Sequence, residues 1–133
     1  MTRAERAAET HGKGYNCAQA VACAFADKTD LSEEQIFRAV EAMGLGGGNM
    51  AGTCGAVAGA NLILGLIHSC GDLNAPESKG KTYKVSGAFQ AAFAEQNGSI
   101  ICRELKGVES GKALTPCPVC IRTAVEMLEK ILG

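Results

Sequence analysis

TCGAVAGANLILGLIH, residues 53–68, is apolar nearly all the way round. A helix of that kind has no face to give to water and belongs at the centre of a domain. Its most apolar part, Val57 to Ile67, is broken by Asn61 and is shorter than the ~20 residues a membrane span needs. Working upstream, SEEQ at Ser32–Gln35 is a capping box that opens a helix with Ile36, Val40 and Met43 on one face, closed by the glycines from Gly44. Before it, Asn16 and Gln19 form a second capping signal. Cys17, Ala20, Val21, Ala24 and Phe25 follow at i, i+3, i+4, i+7 and i+8 spacing. A first helix is expected over Thr2 to His11. Downstream, residues 69–78 read as a loop, and a helix is expected over Lys81 to Gln96 with Val85, Ala88, Phe89, Ala92 and Phe93 inward. A turn follows Cys102 and stops at Gly107. A last helix runs from Cys117 or Pro118 to Leu132. β signals are nearly absent, so the expected fold is an all-α, single-domain helical bundle of about five to six helices spanning residues 1–133.

The composition narrows the function. Hydrophobic residues make up 47% of the 133, enough for a folded core. Aromatics are only 5% and tryptophan is absent, so helices must pack through small side chains at short distances. A formal net charge of -1 argues against a nucleic-acid partner, which demands a basic face. MTRAERAAET is charged and has no signal-peptide pattern, so a cytoplasmic location without membrane insertion is expected. In a reducing compartment, seven cysteines do not suggest a structural disulfide framework, and the odd number agrees.

Cys17, Cys54, Cys102 and Cys117 each fall where a helix is expected to begin. A helix N-terminus has unsatisfied N–H groups and the positive end of the macrodipole. Both favour thiolate over thiol, and such positions bring a cysteine pKa from ~8.5 to roughly 3.5–7.5. Gly55 and Gly59 lie four apart beside Cys54 on one helical face. Glycine inside a helix costs about 1 kcal/mol against alanine, so a close backbone approach is the expected reason for both. Cys117 and Cys120 form a CxxC motif, with Pro118 suited to the first helical position if Cys117 caps the helix. Two cysteines so placed can close a disulfide with modest adjustment, whereas a plain reading leaves Cys120 buried in the last helix. Ile121 stands where CxxCH would need histidine, so covalent c-type haem is not expected. Gly44–Asn49 lacks the spacing and the GK[ST] ending of a phosphate loop and reads as a flexible turn past Cys54. His68 reads as structural, and Cys23 and Cys70 as buried small residues or surface thiols.

YNCAQAV, GLGGGN, GTCGAVAGA, ICRELKG and CPVCIRTAVEMLEKIL, in that order from Tyr15 to the C-terminus, resemble the C-GCAxxG-C-C family of proteins described as redox-active. The family's four cysteines map onto Cys17, Cys54, Cys102 and Cys117, and its GCAxxG onto CGAVAG at Cys54–Gly59. Cys120 falls where relatives often carry an apolar residue. The family is similar to part of split-Soret cytochrome c, whose haem does not carry over without the attachment motif. The resemblance implies thiol-based redox function with an undefined substrate.

The leading expectation is a cluster of Cys17, Cys54, Cys102 and Cys117 cycling between dithiol and disulfide, as a thiol oxidoreductase would. Cys54 is its principal nucleophile, and one of the other three resolves it. Gly55, Gly59 and Cys120 support the site. A second reading gives the same four thiolates to a metal ion or an iron–sulfur cluster. A third is an interaction protein with inert buried thiols. The redox partner is not specified by the sequence, and a homodimer is compatible with it.

Overall fold

A computed structural model describes residues 1–133. Seven α-helices form the fold, with no strand and a single isolated antiparallel bridge between Thr53 and Ile101. They are α1 (Arg3–Gly12), α2 (Cys17–Cys23), α3 (Glu33–Val40), α4 (Gly55–His68), α5 (Lys79–Asn97), α6 (Cys102–Lys106) and α7 (Cys117–Leu132). The count exceeds five to six because the turn expected after Cys102 completes a short helix. No helix is long and apolar enough to cross a membrane.

Local chemistry sets the starts. Capping boxes open α1 (Thr2 with Glu5), α2 (Asn16 with Gln19) and α3 (Ser32 with Gln35). Each satisfies two N–H groups that the helix cannot. Glycines in the left-handed region close α5 (Gly98, φ 100) and α6 (Gly107, φ 69). Helix α3 ends at Val40 rather than Met43, and Glu41–Met43 tighten into a 3₁₀ turn.

The core is built from small residues around α2 and α4. Ala18, Ala20, Val21 and Ala22 have no exposed surface, nor do Ala56, Val57, Ala60, Ile63 and Leu64. The two helices meet through the glycines. A Cβ at Gly59 would stand 2.5 Å from the Ala18 carbonyl oxygen and 3.1 Å from its Cα, and one at Gly55 would stand 3.2 Å from the Cys17 Cβ. Only backbone without a side chain fits there, so the helix propensity lost at two glycines is exchanged for close packing of α2 on α4. Helix α7 lays Ile121, Ala124, Val125 and Leu128 against this pair. In α5, Phe89 and Phe93 are buried, but Ala88 and Ala92 face outward, so its inward stripe is narrower than its sequence suggests.

The glycine-rich turn is a scaffold rather than a loose connection. Gly44–Gly47 makes one helical turn through left-handed backbone at Leu45 (φ 53) and Gly46 (φ 59). A Cβ on Gly46 would meet that of Cys102 at 2.6 Å. The Gly52 N–H donates to the Gly46 carbonyl at 2.9 Å, the Cys102 N–H to Gly52 at 3.0 Å, the Arg103 N–H to Met50 at 2.9 Å, and the Cys54 N–H to Ile100 at 2.6 Å. These bonds tie the starts of α4 and α6 side by side.

Candidate redox site

Each of the four cysteines sits at a helix start. Cys17 is the first residue of α2, after the Asn16 cap, and Cys102 is the first residue of α6. Cys54 itself occupies the cap position of α4. Cys117 is the first residue of α7, one position inside the expected cap; Pro116 takes that place and Pro118 follows as second residue. Cys120 is one turn further along α7.

These five cysteines line one cavity of about 150 Å³, shared with His11, Lys106 and Thr115 and with no carboxylate in its wall. Cys54, Cys102 and Cys120 are buried, whereas Cys17 and Cys117 are partly exposed at its rim. A larger hollow beside Arg103, Glu104 and Glu109 holds no cysteine.

The thiols fall into two pairs. At the rim, the neighbouring Cys17 thiol helps lower the Cys117 pKa to about 5, against the opposing effect of burial. Lys106 adds to this, its Nζ standing 3.5 Å from the Cys117 sulfur. Cys117 and then burial push the Cys17 pKa far up, so Cys17 keeps its proton. The Lys106 ammonium is stabilised in return by the Cys117 charge. Deeper, the Cys120 thiol supports Cys54, whose pKa falls to about 7 with further help from the Ala56 and Val57 N–H groups at the start of α4. Cys120 is pushed up, first by Cys54 and then by burial. Its sulfur also lies 3.8 Å from the Thr115 carbonyl. In each pair the negative charge settles on the sulfur with extra support.

Cys102 belongs to neither pair. Burial raises its pKa, and it stands on Gly46 as part of the cavity wall. Cys23 lies elsewhere, its sulfur 3.7 Å from the Glu33 carbonyl and its pKa raised to about 11 by burial. Cys70 is exposed, and its pKa is lowered to about 7 by the Ser78 hydroxyl and nearby backbone N–H groups. It is a surface thiol outside the cavity. His68 Nδ1 bonds to the Leu64 carbonyl inside its own helix.

Sequence reasoning missed Lys106 and His11. Lys106 ends α6, and nothing in ICRELKG says that its amine reaches Cys117 rather than water. His11 Nδ1 lies 2.9 Å from the Tyr15 carbonyl, which can only accept, so Nδ1 carries a proton. His11 also favours the Cys117 thiolate. No group of three or more His, Cys, Asp or Glu side chains is arranged to hold a metal ion.

Searches of the curated proteins and of the solved structures returned no match. The family model described as "Putative redox-active protein (C_GCAxxG_C_C)" matches residues 15–131, which take in all five clustered cysteines, and the chain belongs to that family.

Proposed function

We propose that the protein exchanges disulfides with an external dithiol or disulfide partner through Cys117 and Cys17. The observation that carries this reading is the rim pair itself: two partly exposed thiols lining one cavity, one of them 3.5 Å from a lysine amine. Ionisation alone does not select the attacking sulfur. A pKa near 5 raises the thiolate fraction at neutral pH about 30-fold over an ordinary thiol, but intrinsic nucleophilicity falls with a Brønsted slope of roughly 0.4–0.5, which returns a similar factor. Access decides. Cys54 is only 6% exposed, so an incoming disulfide meets Cys117 first, and the expected role of Cys54 as principal nucleophile moves to an internal step.

The Cys117 thiolate attacks one sulfur of the substrate disulfide, forming a mixed disulfide and releasing a thiolate. That thiolate takes the Cys17 proton. The Cys17 sulfur then attacks Cys117 and expels the second substrate thiolate. A low pKa at Cys117 makes it a good leaving group in the reverse direction and stabilises the reduced form, so the pair is an oxidising one. A reducing compartment such as the cytoplasm would return it to the dithiol. A metal or cluster reading has less support, because the sulfurs stand as two pairs.

The test uses bis(2-hydroxyethyl) disulfide with acid quench at early times, in a Cys70→Ser background that removes the exposed thiol. The Cys17→Ser variant is expected to carry the hydroxyethylthio group on Cys117, and the parent to show a Cys17–Cys117 bond. First labelling at Cys54 in either protein would overturn the assignment.

A further inference from the structure

Cys54 and Cys120 have no role in that exchange, yet both line the cavity that Cys17 and Cys117 line. Cys17 and Cys54 are brought together where α2 crosses α4: the residue after Cys54 is a glycine whose Cβ, were there one, would stand 3.2 Å from the Cys17 Cβ. Cys117 and Cys120 are one turn apart on α7. Cys120 is 2% exposed and Cys54 6%, so no bulky disulfide reaches them directly. We infer that Cys54 and Cys120 form a second redox pair, which receives its disulfide from Cys17–Cys117 and lets one chain hold two disulfides. This inference rests on the rim-pair reading.

The transfer balances within the chain. The Cys54 thiolate attacks the Cys17 sulfur of the rim disulfide, a Cys17–Cys54 bond forms, and Cys117 leaves as thiolate. Attack on Cys17 is the favoured direction because the sulfur of lower pKa leaves faster. The Cys120 sulfur then attacks Cys54, the Cys54–Cys120 bond forms, and Cys17 departs and takes up the proton that Cys120 gives up. The net change is one disulfide moved inward, with the rim dithiol restored and no charge gained or lost. A second molecule of substrate disulfide then oxidises the rim pair again. The direction follows from the sulfurs' surroundings. Lys106 stabilises the reduced rim pair through Cys117, whereas only backbone N–H groups and a thiol serve Cys54, so the rim pair is the stronger oxidant.

The experiment treats the Cys70→Ser protein, fully reduced, with one equivalent of bis(2-hydroxyethyl) disulfide. It is quenched over time, alkylated, and mapped for disulfides by mass spectrometry. The Cys17–Cys117 bond is expected to appear first and decay as Cys54–Cys120 grows. In Cys120→Ser, which lacks the sulfur for the last step, a Cys17–Cys54 bond is expected to accumulate. In Cys117→Ser, with folding checked by circular dichroism, Cys54–Cys120 should form at least tenfold more slowly than in the parent. A disulfide that stays on Cys17–Cys117, or a Cys54–Cys120 bond that forms at the parent rate without Cys117, would overturn the relay and leave the rim reading intact. A parent that never forms Cys17–Cys117 would remove both.

Discussion

Replacing Gly59 by alanine should unfold the protein at lower temperature, although the same change at Gly65 in α4 should do the reverse. The new methyl would stand 2.5 Å from the Ala18 carbonyl oxygen and 3.1–3.2 Å from the Ala18 Cα and carbonyl carbon. All three are backbone atoms of a buried helix, so no side-chain rotation relieves the clash, and α2 and α4 must move apart by several tenths of an ångström. Overpacking of this kind costs about 1–3 kcal/mol. The gain in helix propensity returns at most about 1 kcal/mol. With rigid backbone on the far side, the cost lies towards its upper end, and a net loss of about 2 kcal/mol is expected. For a chain of this size that lowers Tm by on the order of 5–10 °C. Gly65 is the control. It lies in the same helix, with nothing within 4 Å of its Cβ position, so Gly65→Ala should raise Tm by a few degrees. Thermal melts of the two variants by circular dichroism, with reductant present, read the sign directly. A Gly59→Ala protein that melts at or above the parent would refute the close approach of α2 and α4. Equal losses at both positions would show that glycine serves α4 in some way other than contact with Ala18.

Lys106→Gln should move the midpoint of Cys117 alkylation upward from about 5, because it removes the cation beside the thiolate; an unchanged profile would show that Lys106 does not act on Cys117. Stability of the reduced protein should carry a component that rises with pH between about 5 and 9. The unfolded chain still holds the Cys117 proton in that range and the folded one does not, so this component is lost as pH falls through the folded value and should vanish in Cys117→Ser. Protein purified anaerobically should contain zinc and iron well below one per chain by elemental analysis; one metal per chain, lost on replacing either Cys54 or Cys17 by serine, would favour a metal centre instead.

What the sequence discloses here is what local chemistry decides. The Asn16 and Ser32 boxes, the glycine stops and the helical spacing around Cys17 act over a few residues, so the helix starts can be read directly, and with them the placement of four cysteines at those starts. Pairing of the sulfurs is decided elsewhere, by which helices cross and where. Cys120 partners Cys54 because α7 packs against α4, a relation between residues more than sixty positions apart in the chain. Lys106 meets Cys117 because α6 stops at Gly107 and the chain returns to open α7 beside it. Neither relation leaves a periodic trace. The outward-facing Ala88 and Ala92 fail for a related reason: alanine is apolar enough to extend a stripe on paper and small enough to sit in water at little cost.

Gathering helix starts around one cavity has an energetic consequence that bears on the chemistry. The N-terminal ends of α2, α4, α6 and α7 face a common space, each with a partial positive charge, and Lys106 adds a full one. No carboxylate lines that space. A negative charge at a helix start contributes about 0.3–1 kcal/mol, up to ~2 kcal/mol where water is partly excluded. In the reduced protein the thiolates of Cys117 and Cys54 supply that charge. Forming a disulfide removes it, since each bond consumes a thiolate and a thiol and leaves two neutral sulfurs beside those helix ends. Oxidation therefore works against the electrostatics of the fold, at the rim pair more than at the inner pair because the lysine stands at the rim. The convergence of helix ends that makes the sulfurs acidic is the same arrangement that makes their disulfides ready to pass on.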